Sequence, residues 1–263
     1  MTTPPIALTG PVGPDSAPLV VLGPSLGTST ILWDDVVPLL AAHHRVVRWD
    51  LPGHGAAAAA STPFTVADLA DAVAGAVVAA VGEPTFLYAG VSLGGATGLE
   101  LLLRQPHRVT AAAVVASGAR LGDPAAWHER AAQVRAQSTS SLLIASAQRW
   151  FAEGAIARRP ELTGRLLHAL QDADDESYAL CCEALAAYDV RDRLAGIDAP
   201  VLALWGEHDA VAPQPKAQEV ADGVRRGEIA TIRDAAHLPP AEQPAAVAEA
   251  LRAFFARARG EDR

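Results

Sequence analysis

Short β-branched runs alternate with stretches of helical periodicity along most of this chain, and that rhythm narrows the folds open to it. "PLVVL" (18–22), "RVVRWD" (45–50), "TFLYAG" (85–90) and "AAAVVASG" (111–118) are bounded by Gly or Pro and read as strands. Between them, residues 31–43, 65–82 and 93–106 place apolar side chains at i, i+3 and i+4 and read as helices. Strands that are apolar on both faces and separated by helices predict an α/β fold, with a mostly parallel sheet covered on both sides.

The rhythm stops between about Gly122 and Asp189, where only helical stretches occur, and resumes with "APVLALWG" (199–206) and "GEIATIR" (227–233). Helices are expected near 214–225 and at 242–258. A helical block set between two parts of one sheet reads as a lid. The expected organisation is therefore a first core part (1–121), the lid (122–190) and a second core part (191–263). With half of its 263 residues apolar, the chain has ample material for one such core.

The net charge of −9 leaves no basic stripe to neutralise phosphates, so nucleic acid and an anionic membrane surface are not expected partners. The N-terminus lacks the basic and apolar regions of a secretory signal, and no apolar run is long enough to span a bilayer. Cys181 and Cys182 are adjacent and form neither a disulfide framework nor a CxxC pair, which fits a reducing cytoplasm. The remaining histidines, His43, His44, His107, His128, His168 and His208, show no HExxH or paired spacing. No metal is therefore expected, and the absence of dinucleotide and Walker glycine patterns argues against a nucleotide cofactor.

"AGVSLGGATG" (89–98) sets a hydroxyl among glycines between an expected strand and an expected helix. It fits G-x-S-x-G, a sharp turn that strains the serine backbone and lifts its hydroxyl clear of the sheet. Gly90 and Gly94 avoid collisions two residues either side, and Gly95 and Ala96 let the helix approach the strands. Ser92 is thus a candidate nucleophile, and it requires a base oriented by a carboxylate. Asp209 follows a strong strand in "LWGEHDAVAP" (204–213), and His237 follows the next in "RDAAHLPPAEQP" (233–244). The order Ser92, Asp209, His237 is that of α/β-hydrolases. Glu207 and Asp123 are rival acids, one too near its strand end and the other several residues beyond one. The N–H groups of Leu93 and of Leu26, in the loop "LGPSLGTST" (22–30) taken as following the third strand, are the expected oxyanion donors. His54 in "DLPGHG" (50–55) reads as a structural loop residue, and Trp33 and Trp205 read as packing.

These pieces resemble the α/β-hydrolases and, among them, the 3-oxoadipate enol-lactonases of aromatic catabolism. The resemblance covers nearly the whole chain. "SLGTST" to "LPGHG" (25–55), "AGVSLGG" and "GEHDAVAP" carry the superfamily, while "RLGDPAAWHERAAQVRAQ" (120–137) and "CCEALAAYDVRDRL" (181–194) carry the subfamily. Pro24 departs from the Asn common in such oxyanion loops. Some relatives are fused to a carboxymuconolactone decarboxylase, and no such domain is expected here. The resemblance implies opening of an enol-lactone through an acyl-enzyme in the β-ketoadipate pathway, with no cofactor and a small carboxylate lactone as partner. A cation should then stand in the lid, for which Arg149 is the candidate, with Trp150 as ring contact. Alternatives on the same fold are a carboxylesterase, a C–C hydrolase or a non-catalytic ligand-binding protein. A haloalkane dehalogenase would need Asp at position 92.

Overall fold

A computed structural model describes residues 3–260. Seven strands form one sheet: β1 (Ala7–Leu8), β2 (Leu19–Gly23), β3 (Arg45–Asp50), β4 (Phe86–Val91), β5 (Val109–Val115), β6 (Val201–Gly206) and β7 (Gly227–Ile232). Their order is β1-β3-β2-β4-β5-β6-β7. Only the β1–β3 pair is antiparallel. The strand order reverses between β2 and β4, whose last paired residues are Gly23 and Gly90. A crevice opens outside the carboxyl ends of the strands at such a reversal, and that is where ligands bind in open parallel sheets.

All residues of β2 and β4 are buried, so both faces of the sheet are covered. The covering helices of the two core parts are α1 (Val66–Val81), α2 (Leu93–Arg104), α7 (Gln214–Gly223) and α8 (Pro244–Arg259). Thr65 and Asp68 form a reciprocal capping box at the start of α1, and Gly82 ends it in the left-handed region. α8 brings Phe254 and Phe255 into the core, their rings 5.5 Å apart and tilted by 49°.

Between β5 and β6 the chain forms helices joined by loops, and no strand. Its long helices are α3 (Pro124–Gln137), α4 (Leu143–Trp150), α5 (Pro160–Asp172) and α6 (Asp175–Ala186). Arg135 staples α3 to α6 by reaching Glu176 at 2.7 Å and Glu183 at 2.5 Å. Backbone bonds tie this insertion to the core, among them those from Asp174 N–H to the Gly53 carbonyl and from Val190 N–H to the Ala119 carbonyl, both 2.9 Å.

Three local expectations change. The helix expected over 31–43 is a 3-10 turn, Thr30–Trp33, followed by a short helix, Val37–Leu40. Pro38 has no N–H to give to a preceding turn, so one continuous helix does not form there. The two-residue strand β1 is too short for an alternation pattern to reveal. The loop after Gly23 consequently follows the second strand of this chain rather than the third.

Truncation of the core should be costly where the sheet edge is not. Phe254→Ala is expected to lose about 3–5 kcal/mol in urea denaturation, because Phe254 is fully buried. Ile229→Ala, on the exposed part of β7, should change stability by less than about 0.5 kcal/mol.

Candidate active site

The turn from β4 into α2 places Ser92 at φ 54°, ψ −112°, a conformation that L-residues rarely adopt. Holding it costs on the order of 1–3 kcal/mol, which neighbours must offset. Ser92 N–H donates to the Val115 carbonyl at 2.9 Å, and the Ser92 carbonyl accepts from Ser117 Oγ at 2.7 Å. A Cβ on Gly90 would lie 2.2 Å from the Gly94 carbonyl oxygen, and one on Gly94 would lie 2.6 Å from that of Pro24. Both glycines are thus required by backbone contact. Although it occupies the N-cap position of α2, Ser92 makes no side-chain capping bond. Leu93 is the first residue of that helix, where an N–H has no helical acceptor.

Asp209 and His237 come from the loops after β6 and β7. Those loops are laced together, His208 N–H donating to the Ala235 carbonyl at 2.9 Å. His237 Nδ1 lies 3.0 Å from Asp209 Oδ2 and 3.2 Å from Oδ1, with both side chains buried. Asp209 Oδ1 also accepts the N–H groups of Val211 at 2.8 Å and Ala212 at 3.0 Å. Burial pushes the Asp209 carboxyl upward. The charge and hydrogen bond of His237, with the two N–H groups, outweigh it and hold the group below the usual carboxylate range. The rival acids are engaged elsewhere: Glu207 accepts from Asp234 N–H at 3.2 Å, and Asp123 caps α3 through Ala125 N–H at 2.7 Å.

The loop carrying Leu26 is braced on every side. Thr28 Oγ1 accepts Ser25 N–H at 3.1 Å and donates to the Ser25 carbonyl at 2.8 Å. The Pro24 carbonyl takes Gly94 N–H at 3.0 Å, so proline here still serves the elbow through its backbone. Trp33 Nε1 donates to the Gly23 carbonyl at 3.0 Å, a contact beyond simple packing. Buried Asp50 takes Thr30 N–H at 2.7 Å and Ala56 N–H at 3.0 Å, one on each carboxylate oxygen. His54 is fully buried: its Nδ1 faces the Pro52 carbonyl at 2.8 Å and its Nε2 accepts Gly27 N–H at 3.2 Å. That pattern requires a neutral imidazole with the proton on Nδ1. Burial pulls its pKa down to about 4, against the Pro52 bond and the Asp174 charge that raise it.

A cavity of about 230 Å³ joins these parts. Ser25, Leu26, Ser92 and His237 of the core line it together with Arg130, Arg149, Trp150 and Tyr178 of the insertion. The expected pair Arg149 and Trp150 is therefore present, and Arg130 and Tyr178 are additions. A sequence signal for Arg130 exists, because Asp123, Ala126, Trp127 and Arg130 recur at i, i+3, i+4 and i+7 along α3 and all reach the cavity. The Arg130 guanidinium sits over the Trp127 ring at 4.9 Å and faces the Tyr178 hydroxyl. Arg149 Nε donates to the Ala145 carbonyl at 3.1 Å. Among the described residues no carboxylate pairs with either arginine. Burial, and then the charge of Arg130, pull the Arg149 guanidinium below its ordinary value. Glu207, His208 and Asp234 do converge, but on the exposed surface away from this cavity.

Residues 18–244 match the family model described as alpha/beta hydrolase fold. The chain belongs to the α/β-hydrolase family. This α/β-hydrolase is 32% identical to 3-oxoadipate enol-lactonase 2 of Acinetobacter baylyi, over 93% of this chain and 91% of that relative. It is 29% identical to a pimeloyl-[acyl-carrier protein] methyl ester esterase of Neisseria meningitidis, over 92% of this chain and 94% of that one. Among solved structures, the enol-lactonase from Burkholderia xenovorans LB400 superposes with a TM-score of 0.91 at 30% identity. That superposition covers 95% of this chain and 96% of the other. No helix among the described residues is long and apolar enough to cross a membrane.

The neutral His54 makes stability depend on acid. A folded pKa near 4, below the ordinary 6.5, gives stability that is fully present above pH 6.5 and lost as pH falls towards 4. His54→Gln removes that titration. Between pH 7 and pH 4 the wild type should lose about 3 kcal/mol more than the variant in urea denaturation.

Proposed function

We propose that this α/β-hydrolase opens 3-oxoadipate enol-lactone, or a close analogue, by serine-based acyl transfer. The observation that carries the reading is one cavity lined by Ser92, His237 and two guanidiniums without carboxylate partners. A volume of about 230 Å³ is smaller than the roughly 300–1,000 Å³ of sites for drug-sized ligands, which favours a compact substrate. Two half-buried cations without carboxylate partners, in a chain of net charge −9, favour an anionic group on that substrate, held by charge-assisted bonds. The relatives named enol-lactonases add weight to the lactone. We read the helical insertion as a lid that carries the anion site over the nucleophile.

In this mechanism Ser92 Oγ attacks the lactone carbonyl while His237 takes its proton. Asp209 holds the imidazole in the tautomer with Nδ1 protonated and offsets the positive charge that develops. The N–H groups of Leu26 and Leu93 receive the oxyanion. Collapse of the tetrahedral intermediate breaks the bond from the carbonyl carbon to the ring oxygen. The oxygen departs as a stabilised enolate, so little acid assistance is required; it takes the proton from His237 and becomes a ketone, which leaves the imidazole neutral again. Water, activated by His237, then releases the acyl group as a carboxylate and returns the proton to Ser92. Two adjacent buried thiols, Cys181 and Cys182, suit the cytoplasmic setting that aromatic catabolism by the β-ketoadipate route would have.

A fluorophosphonate should label the protein at Ser92, and Ser92→Ala should abolish both labelling and turnover with the fold intact by circular dichroism. Absence of wild-type labelling would return the chain to the ligand-binding alternative. Arg130→Leu and Arg149→Leu should each raise KM for the enol-lactone roughly tenfold or more, and leave hydrolysis of neutral p-nitrophenyl acetate within about threefold. Equal losses on both substrates, or a preference of the wild type for the simple ester, would remove the carboxylate lactone from the assignment.

A further inference from the structure

His237 is bracketed by two links to the chain at the end of α4, one direct and one through a buried acid that the mechanism above does not use. Glu242 is 8% exposed. Its Oε1 accepts Ala236 N–H at 2.7 Å, directly before the histidine, and its Oε2 accepts Ala152 N–H at 2.7 Å. On the other side of the histidine, Leu238 N–H donates to the Trp150 carbonyl at 3.2 Å. Trp150 itself lines the cavity.

Glutamate is rarely buried without a cation, and among the described residues no ion pair engages Glu242. Backbone N–H groups hold it in place of a cation. Burial pushes its carboxyl up, while the N–H groups of Ala152, Ala236 and Leu238 and the more distant charge of Arg158 pull it back. A mere cap of the short helix Pro239–Glu242 would bond within that helix. Ala236 and Ala152 both lie outside it, the latter 90 residues away in sequence. Two short, charge-assisted bonds from one carboxylate, one to its own loop and one to a distant segment, make a rigid joint.

We propose that Glu242 is a positioning residue for His237: by holding Ala236 and Ala152 at once, its carboxylate fastens the histidine loop to the helical insertion. The placement of the base then depends on the insertion being seated over the sheet. The inference rests on the serine-hydrolase reading of the site. Glutamine at 242 keeps the shape but offers an acceptor to only one of the two amides, and turns its NH₂ towards the other donor. One buried N–H is left unpaired and the joint opens on that side. A misplacement of the base by about 1 Å costs on the order of 100-fold in rate.

The test follows fluorophosphonate labelling of Ser92, which needs the base but no particular substrate, in the full chain carrying Glu242→Gln. The variant is expected to keep the far-ultraviolet circular dichroism of the wild type and to label roughly tenfold to a hundredfold more slowly. Its kcat should fall in step with KM nearly constant. Exchange of whichever amide loses its acceptor, Ala152 or Ala236, should accelerate, and the low-field proton between His237 and Asp209 should shift or broaden in the NMR spectrum. Labelling within twofold of the wild type, or unchanged exchange at both amides, overturns the proposal. A wild type that does not label overturns the serine reading instead, so the two failures are distinct. Should Glu242→Gln not fold, Glu242→Asp carries the same measurements, since the shorter carboxylate spans only one of the two amides.

Discussion

The backbone of Ser92 is the constraint around which the rest is arranged. A residue at φ 54°, ψ −112° persists only where its surroundings leave the chain no cheaper path. Here those surroundings are the adjoining strand, through the Val115 carbonyl, and the Ser117 hydroxyl. The helix behind it can come this close only because Gly90 and Gly94 carry no side chain. The strained serine thus carries a side chain that emerges at the reversal of strand order, where the sheet already opens a crevice.

Around that residue the structure sorts charge by location. The surface carries the negative excess of the chain, and its arginines are largely neutralised by partners such as Glu176 and Glu183 around Arg135. Arg130 lies on the same helix as Arg135 but turns to the cavity, where Trp127 and Tyr178 surround it instead of a carboxylate. Cations held in a low-dielectric pocket without partners are poorly solvated, and an anion entering from solvent relieves that cost. The opposite arrangement holds one step away. Asp209 and His54 are each fixed in one protonation state, the first by donors and the second by burial.

The insertion and the sheet meet through a few polar joints. Gly53 with Asp174, Ala119 with Val190, and Glu242 with Ala152 and Ala236 connect loops at the carboxyl edge of the sheet to helices above it. Such joints are short-range and directional, so they transmit position in a way that the apolar contacts beside them do not. His54 belongs to this set as well, with its Nε2 on the loop of Leu26 and its ring stacked 6.1 Å from Tyr178 of the insertion.

By itself the sequence determined the elements and the polar anchors. Period-two and period-3.6 patterns are local, so β2 to β7, α1, α2, α3 and the helical character of 122–189 are all visible in it. The glycine–serine turn and the order of Ser92, Asp209 and His237 are legible for the same reason, because each follows a strand end. Pro38 splits a stretch that looked like one helix, and β1 is too short to leave a pattern. Tertiary structure decided which polar groups meet. Asp209 rather than Glu207 or Asp123 faces His237, Arg130 joins Arg149, and Glu242 reaches across 90 residues to Ala152. Those pairings depend on the directions in which loops leave the sheet and on how α3, α4 and α6 pack over it. A one-dimensional pattern does not encode distances between segments that only a closed fold brings together.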